Sequence, residues 1–352
     1  MRYTYSGAEW VYTSVDSQLY MPLMEIANHV GTVTHLSPQK RREIQSSIKV
    51  EEPSWISQYL IVSNFDVRGL KGDNLSLRDD ISVPVRLYTP RESANEELPV
   101  LLCFHGGGLW KGDLDSEHII YARLAHELRA VILSVDYRLA PEHPYPAGLH
   151  DCATALQWLA DNSTHLNIDM NRLAFYGGSA GGNLALALAM YARDNGLVMP
   201  KFIMAMYPMI DDRHTTPSSY QITETKPGAW NRRDSLEAWR WYLADNEPDI
   251  YAAPARADIA ELEGLPPVYM DVGTLDLFRD EDLSFATQLS AAGVEVEMHM
   301  TPRMVHGGEN VAPDADISKR IWGYRMSALR RALGTDERVE TSDKTIGKFS
   351  KP

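Results

Sequence analysis

Cysteines, long apolar runs and a secretion signal are scarce or missing in this sequence. Only 2 of the 352 residues are cysteines. A chain of this length can bury a large core without disulfides, so we expect Cys103 and Cys152 to be buried free thiols. No stretch approaches the roughly 18 apolar residues of a membrane-spanning helix, and the first residues lack the basic and apolar segments of a signal peptide. We therefore expect a cytoplasmic protein with no membrane partner.

Positive charge is also in short supply. The chain carries 34 Lys and Arg residues against 48 Asp and Glu residues, which gives a formal net charge of −14. Nucleic acids and anionic membranes select for basic surfaces, so neither is expected as a partner. The histidines and cysteines do not follow the spacing of a metal site, and no metal or organic cofactor is predicted.

From about residue 60 onward, short runs rich in β-branched and aromatic residues are followed, in the later part, by helix-length segments. The runs read LIVSNFDV, ISVPVRLYTP, VLLCFH, VILSVDY, LAFYG, FIMAMYP, PVYMDVG and VEVEMHM. Nearly continuous apolar strands separated by helices predict a mainly parallel sheet that is covered on both faces. The first two runs lack a helix between them, which predicts an antiparallel start with a turn at 71–74.

A serine lies where the fifth run gives way to a helical segment. It is the centre of the motif Gly177-Gly178-Ser179-Ala180-Gly181, whose outer glycines leave room for a strand that reverses into a helix within one residue. Such a turn strains the backbone and exposes the hydroxyl above a helix N-terminus, where negative charge is stabilised. The motif predicts a nucleophile. The alternative is a glycine-rich turn that binds phosphate or only packs tightly.

A second glycine cluster, His105-Gly106-Gly107-Gly108, follows the third run. Successive glycines expose backbone N–H groups, and two of these can point at one oxygen atom. We predict an oxyanion hole formed by the N–H groups of Gly106, Gly107 and Ala180. The alternative is a flexible glycine loop. His105 is expected to be structural and to hold the loop through a hydrogen bond to the backbone.

A nucleophilic serine needs a general base, and in α/β-hydrolases an acid and then a histidine follow the serine along the chain. Three histidines qualify by position. His214 lies in the long segment between the sixth and seventh runs, and His299 lies within the last alternating strand. His306 lies in a loop just after that strand, and we predict that it is the base.

The acid that orients this base is sought near the end of the seventh run. Asp271 falls within the strand itself, and Asp276 follows in the loop. Asp280 begins the next helical segment, where the helix dipole is sufficient reason for a carboxylate. Position along the chain alone does not choose between them.

Together these motifs resemble the hormone-sensitive-lipase-like family of esterases, over roughly residues 60–330. The motifs that carry the resemblance are HGGG at 105–108, DYRLAPEHP at 136–144, GGSAGG at 177–182, and DLFRDE at 276–281 with the later His306-Gly307. The resemblance implies an α/β-hydrolase fold. It also places the acid at Asp276, the first Asp of the family's D-P-L-x-D-E segment.

The resemblance also implies an activity, that of a serine carboxylesterase. Its substrates would be small esters with short- to medium-chain acyl or aryl groups, and a homodimer would fit the family. Ser179, Asp276 and His306 would act as a catalytic triad through an acyl-enzyme. Lactone, carbamate or amide hydrolysis by the same machinery is the alternative. A non-catalytic ligand receptor on this fold is disfavoured, because such relatives lack the triad histidine.

Three residues depart from the family pattern. Gly178 stands where the family often has an acidic residue, Leu277 where it has proline, and Gly308 where an aromatic residue is common. None of them removes a triad or oxyanion group, but Gly178 and Gly308 would affect the hydrogen bonding and the acyl-chain preference of the pocket. We predict Gly178 and Trp110, which follows the glycine cluster, as residues of the substrate pocket.

The predicted architecture is an α/β-hydrolase fold, with an eight-stranded, mostly parallel twisted sheet flanked by helices, and with a helical cap. Residues 1–55 and a tryptophan-rich insertion at about 211–250 would form the cap. The catalytic domain would span 56–335. The polar and aperiodic segment 336–352 is predicted to be a loosely ordered tail.

Overall fold

The structure is a computed structural model. It describes residues 15–30, 36–46, 51–68, 81–92, 97–222 and 230–335. The predicted turn at 71–74 and the predicted tail at 336–352 lie outside the described residues, as do parts of both segments of the predicted cap. Within the described ranges, no helix is long and apolar enough to cross a membrane.

Eight strands form one sheet. They are β1 (Leu60–Arg68), β2 (Ser82–Pro90), β3 (Leu98–Phe104), β4 (Val131–Val135), β5 (Ile168–Gly178), β6 (Phe202–Met206), β7 (Val268–Leu275) and β8 (Val296–Val305). Their order across the sheet is β1-β2-β4-β3-β5-β6-β7-β8. Strand β2 pairs antiparallel with both β1 and β4, and the other neighbouring strands are parallel. The predicted mostly parallel sheet with an antiparallel start is confirmed.

The central strands are buried on both faces. Every residue of β3, β4 and β6 is buried, because helices pack on each side of a parallel sheet. Strands β1 and β8, at the two edges, expose part of their length. This difference explains why the central runs of the sequence are apolar throughout, whereas the outermost ones mix polar and apolar residues.

Helices connect and cover these strands. They are α1 (Ser17–Val30), α2 (Pro38–Ser46), α3 (Ser54–Tyr59), α4 (His118–Leu128), α5 (Ala147–Asp161), α6 (Ser163–Leu166), α7 (Ala180–Asp194), α8 (Pro217–Gln221), α9 (Arg232–Leu243), α10 (Arg279–Ala291), α11 (Gly308–Val311) and α12 (Asp316–Leu333). Cys103 in β3 and Cys152 in α5 are buried free thiols, as predicted.

Helices α1, α2, α8 and α9 come from the two segments predicted to form the cap. Arg42 of α2 donates hydrogen bonds to the carbonyl oxygens of Trp110 at 2.7 Å and Ala140 at 3.1 Å. Arg41 forms an ion pair with Glu237 of α9 at 3.0 Å. The N-terminal segment therefore contacts both the insertion and the residues after the glycine cluster. The division into cap and catalytic domain stays a prediction.

Candidate active site

The predicted site residues follow the ends of β3, β5, β7 and β8. These four strands run parallel, so their carboxyl ends lie at one edge of the sheet. Clefts outside this edge are where open α/β sheets bind ligands. The topology alone therefore brings together residues that lie far apart along the chain.

Ser179 lies between the last residue of β5 and the first residue of α7, in a strained backbone conformation. Its φ is +56° and its ψ is −117°, values that a residue other than glycine adopts rarely. A Cβ atom at Gly181 would lie 1.9 Å from the carbonyl oxygen of Phe104. Glycine there lets α7 start directly against the end of β3, and this close packing holds the serine at the edge of the sheet.

A chain of hydrogen bonds joins the three predicted triad residues. The Nε2 atom of His306 lies 2.9 Å from Ser179 Oγ, and its Nδ1 atom lies 2.9 Å from Asp276 Oδ2. Asp276 is fully buried, and its second oxygen accepts the N–H of Phe278 at 2.9 Å. A carboxylate fixed in this way favours the imidazole tautomer with its proton on Nδ1, which leaves Nε2 free to accept the serine proton.

The other two histidines considered as the base lie against different partners. His214 contacts Ser235 Oγ at 2.8 Å through Nε2, and its Nδ1 atom lies 2.9 Å from the carbonyl oxygen of Asp212. His299 contacts Glu297 at 2.8 Å and stacks on Tyr324 with ring centroids 4.6 Å apart. Both imidazoles are therefore occupied away from the serine.

The two other candidate acids are also committed elsewhere. Both carboxylate oxygens of Asp271 accept hydrogen bonds from Arg325, at 2.7 and 2.9 Å. Asp280 accepts the N–H of Ser218 at 2.7 Å and pairs with the guanidinium of Arg279. Of the three, Asp276 is the carboxylate that contacts His306.

The glycine cluster lies next to the nucleophile. A Cβ atom at Gly106 would be 3.8 Å from Ser179 Cβ. However, the N–H of Gly106, which was predicted to be an oxyanion donor, donates to the Oε1 atom of Glu117 at 2.9 Å. It therefore points at a carboxylate of the protein and not into the predicted oxyanion hole. The N–H of Gly107 forms no hydrogen bond within the described residues. The N–H of Ala180 is the first of α7, where helix geometry supplies no internal acceptor.

Glu117 is a component of the site that the sequence did not reveal. Burial raises the pKa of its carboxyl, although the hydrogen bond from Gly106 acts in the opposite direction. The residue lies directly before α4, a position at which the helix dipole is reason enough for an acidic residue. Nothing in the local pattern indicates that this side chain reaches back to the glycine cluster.

His105 holds the first turn of the glycine cluster. Its Nδ1 atom lies 2.8 Å from the carbonyl oxygen of Gly106, and its ring stacks on Tyr137 with centroids 4.2 Å apart. The hydroxyl of Tyr137 donates to the carbonyl oxygen of His105 at 2.7 Å. Burial lowers the pKa of His105 to about 4, so the imidazole is neutral at pH 7. These contacts fit the structural role expected of His105.

A buried ionic network supports the loop that carries His306. Arg325 bridges Asp271 of β7 and Glu309, three residues after His306, with a contact of 2.8 Å to the latter. Glu309 also accepts the hydroxyl of Tyr207 at 2.7 Å. The ring of Tyr207 stands edge-on to the imidazole of His306 at 4.8 Å. The network therefore links strand β7, helix α12 and the histidine loop.

Gly178, predicted as a pocket residue, is buried against this network. A Cβ atom at Gly178 would lie 3.2 Å from both the Cε2 atom and the hydroxyl of Tyr207. A larger residue there would press on the ring that contacts His306. This close approach gives a physical reason for glycine at this position. A role of Gly178 in substrate binding stays a prediction.

Indole rings border the site on the side of the insertion. Trp110 is buried and packs edge-on against Trp241, with centroids 5.3 Å apart. Trp230 lies nearer to the base, with its ring 6.4 Å from the imidazole of His306. The sequence singled out a tryptophan-rich insertion, but did not indicate which of its indoles approaches the histidine.

Asp282, beside the triad acid, carries a buried carboxyl group without a partner. It is fully buried, and neither of its oxygens has a hydrogen-bond partner in the described part of the chain. Burial raises the pKa of Asp282 well above its usual value, and the nearby carboxylates of Glu281, Asp276 and Asp271 raise it further. The folded protein therefore keeps a proton on this group at a pH where the unfolded chain has lost it.

This difference in the protonation of Asp282 between the folded and the unfolded chain predicts a pH-dependent stability. The stabilisation linked to the Asp282 proton is complete below the usual pKa of Asp, near 4, and is lost as the pH rises through the raised pKa. Asp282→Asn is neutral at every pH. The melting temperature of the variant minus that of the wild type should therefore increase between pH 5 and pH 8, by roughly 2 °C or more, as measured by calorimetry.

Asp280→Asn is the matched control for this experiment. Burial alone would raise the pKa of Asp280, but hydrogen bonds from Arg279 and from the N–H of Ser218 outweigh it, and the pKa is lowered. Loss of this carboxylate should cost stability at neutral pH, and the cost should shrink as the medium is acidified. The same pH trend in both variants would contradict the assignment of a proton to Asp282.

Comparison with known proteins identifies the class. A family model described as alpha/beta hydrolase fold matches residues 101–309, and the chain belongs to this family.

In the described residues, no group of three or more His, Cys, Asp or Glu side chains is arranged to hold a metal ion.

Named relatives within this family are esterases. The chain is 38% identical to carboxylesterase NlhH of Mycobacterium tuberculosis, over 71% of this chain and 79% of that protein. It is 37% identical to esterase LipI of the same organism, over 71% and 78%. Esterase LipW from Mycobacterium marinum superposes with a TM-score of 0.76 at 34% identity, over 93% of this chain and 98% of that one.

These findings confirm the resemblance to hormone-sensitive-lipase-like bacterial carboxylesterases. The chain is an ester-hydrolysing enzyme with the α/β-hydrolase fold.

Proposed function

We propose that this enzyme hydrolyses carboxylic esters with short- to medium-chain acyl or aryl groups, through an acyl-enzyme on Ser179. The observation that carries the proposal is the chain of two 2.9 Å hydrogen bonds from Ser179 through His306 to Asp276. Both contacts have the distance that proton transfer and orientation of the base require.

In the first half of the reaction, Ser179 Oγ attacks the ester carbonyl while His306 Nε2 takes its proton. The resulting imidazolium keeps its other proton on Nδ1, where the buried Asp276 carboxylate stabilises the positive charge. The carbonyl oxygen becomes an oxyanion above the N-terminus of α7, whose dipole favours negative charge. Collapse of this intermediate transfers the proton from Nε2 to the leaving alcohol and leaves the acyl group on the serine.

In the second half, water replaces the alcohol. The Nε2 atom of His306 now accepts a proton from the water, whose oxygen attacks the acyl carbonyl. The second oxyanion occupies the place of the first. Its collapse breaks the bond to Ser179 Oγ, returns the proton to that oxygen and releases the carboxylic acid.

We assign the oxyanion hole to the N–H groups of Gly107 and Ala180. The N–H of Gly106, one of the three donors expected from the sequence, donates to Glu117, and one N–H proton serves one strong acceptor at a time. Gly106 then has a different role, since its hydrogen bond to Glu117 fixes the peptide unit between His105 and Gly106, one unit before the N–H of Gly107. Preorganised donors of this kind lower the barrier because they need no rearrangement during the reaction.

A p-nitrophenyl ester series, from acetate to dodecanoate, tests the proposed substrate class with the purified full chain. Release of p-nitrophenol should be fastest for the short and medium acyl chains and should fall for the longest ones. Absence of turnover across the whole series, or an optimum at dodecanoate, would overturn the proposed substrate class.

Truncation of Trp110 should change the preferred chain length. This indole packs on Trp241 beside the glycine cluster, and its removal enlarges the space next to the site. We expect Trp110→Ala to shift the optimum of the ester series more than it changes the rate on the acetate ester. The shape of the series does not depend on the fraction of folded enzyme. Trp239→Phe, at a buried indole that packs on Tyr242, is the control. An unchanged series for Trp110→Ala would mean that the indole only packs.

A further inference from the structure

Lys111 lies beside the glycine cluster, and in the described part of the chain no carboxylate forms an ion pair with it. Lys111 follows Trp110 directly, and its ammonium nitrogen lies 5.5 Å from the centre of the Trp110 ring and 6.0 Å from that of Trp230. Within the described residues, Lys111 forms no ion pair and no side-chain hydrogen bond. The proposed mechanism uses no atom of this side chain.

Two carboxylates of helix α9, those of Asp234 and Glu237, are occupied by other groups. Asp234 attracts the ammonium group, but its own oxygens accept the side-chain amide of Asn231 at 2.7 Å and the guanidinium of Arg233. Glu237 pairs with Arg41 at 3.0 Å. Burial among the indoles and the positive charge of Arg41 both lower the pKa of Lys111, against the opposing effect of Asp234. An anion placed beside this ammonium would relieve the cost of holding an unpaired charge there.

The same indole that borders the ammonium also borders the catalytic base. The ring of Trp230 lies 6.4 Å from the imidazole of His306. Its Cη2 atom would be 2.5 Å from a Cβ atom at Gly108, so the ring edge lies on the glycine cluster itself. The indole N–H of Trp230 has no acceptor in the described part of the chain. The ring of Trp230 therefore contacts the surroundings of both the ammonium group and the imidazole of His306.

We propose that Lys111 binds the free carboxylate of an ester that carries one, such as a monoester of a dicarboxylic acid. The inference rests on the proposed ester hydrolysis and adds a substrate class to it. A single ammonium between two indole rings matches a substrate with an apolar chain that ends in one small anion. The overall charge of −14 repels such a substrate, so a local positive charge is needed to hold it.

The test compares two esters of equal acyl length, monomethyl glutarate and methyl pentanoate, whose hydrolysis is followed by pH-stat titration. The wild type should hydrolyse both. In Lys111→Met, which keeps an unbranched side chain one atom shorter and removes its charge, the ratio of kcat/KM for the anionic ester to that for the neutral ester should fall about ten-fold, through KM.

Lys201→Met is the matched control. Lys201 is exposed directly before β6, so its replacement changes the net charge equally but leaves the ratio as it is. An equal loss on both esters in Lys111→Met would show that the lysine only packs, and an unchanged ratio would also overturn the inference. So would a wild type that hydrolyses methyl pentanoate and not monomethyl glutarate. Failure on both of these esters and on the p-nitrophenyl series would instead refute the proposed ester hydrolysis, and with it this inference.

Discussion

Replacing Ser179 with Ala should lower kcat for ester hydrolysis by about 10⁶-fold, the scale of loss when the nucleophile of a serine protease is removed. In the proposed mechanism Ser179 forms the acyl-enzyme, and its hydroxyl is the group that lies 2.9 Å from His306 Nε2. The fold should be retained, since the change removes one oxygen atom at a turn whose shape is set by its glycines. Steady-state kinetics on a short p-nitrophenyl ester and a melting curve measure both effects.

Covalent labelling gives an independent readout for the same residue. A fluorophosphonate should add once to the wild type, at Ser179, and should leave the Ala variant unmodified, as seen by intact mass and peptide mapping. Labelling at another serine, or an Ala variant that retains activity above trace contamination, would remove Ser179 from the mechanism.

Asp276→Asn should lower kcat by about 10³–10⁴-fold. The Oδ2 atom of Asp276 faces Nδ1 of His306 at 2.9 Å, and an amide there no longer stabilises the imidazolium and permits the wrong tautomer. The second oxygen is held by the N–H of Phe278, so the side chain cannot turn away without losing that bond. The rate loss should therefore appear without a comparable loss of substrate binding.

Asp280→Asn controls for the removal of a nearby charge. Asp280 lies four residues further on and contacts Ser218 and Arg279 rather than His306. Its variant should keep kcat within a few-fold and show mainly a lower melting temperature. A crippled Asp280→Asn next to an active Asp276→Asn would reverse the assignment of the acid.

The sheet and the placement of the triad residues could be predicted because each depends on a short local pattern. Ser179 lies in a motif that only a strand-to-helix turn explains, and His306 lies in the loop after the last strand. Because the strands that precede them are parallel, both residues lie at the same edge of the sheet. For the acid, local pattern was insufficient, and the resemblance to a family had to choose Asp276 over Asp271 and Asp280.

The supporting contacts could not be predicted, because they join residues whose local patterns have simpler explanations. Glu117 stands at the start of a helix, where acidic residues are common for reasons of the dipole alone. Arg325 lies within a long helix rich in basic residues, a pattern typical of a solvated face. Only the packing of α12 on the sheet reveals that Arg325 is buried between Asp271 and Glu309.

The wide separation of these groups along the chain has a consequence for folding. The glycine cluster follows the third strand, whereas His306 follows the last, and all parallel strands lie between or beside them in the sheet. Contacts between residues so distant in sequence form late and slowly, because the intervening chain loses conformational entropy before these contacts stabilise it. Catalysis can therefore return during refolding only after β8 has docked, and recovered turnover would time the last event of assembly rather than the first collapse.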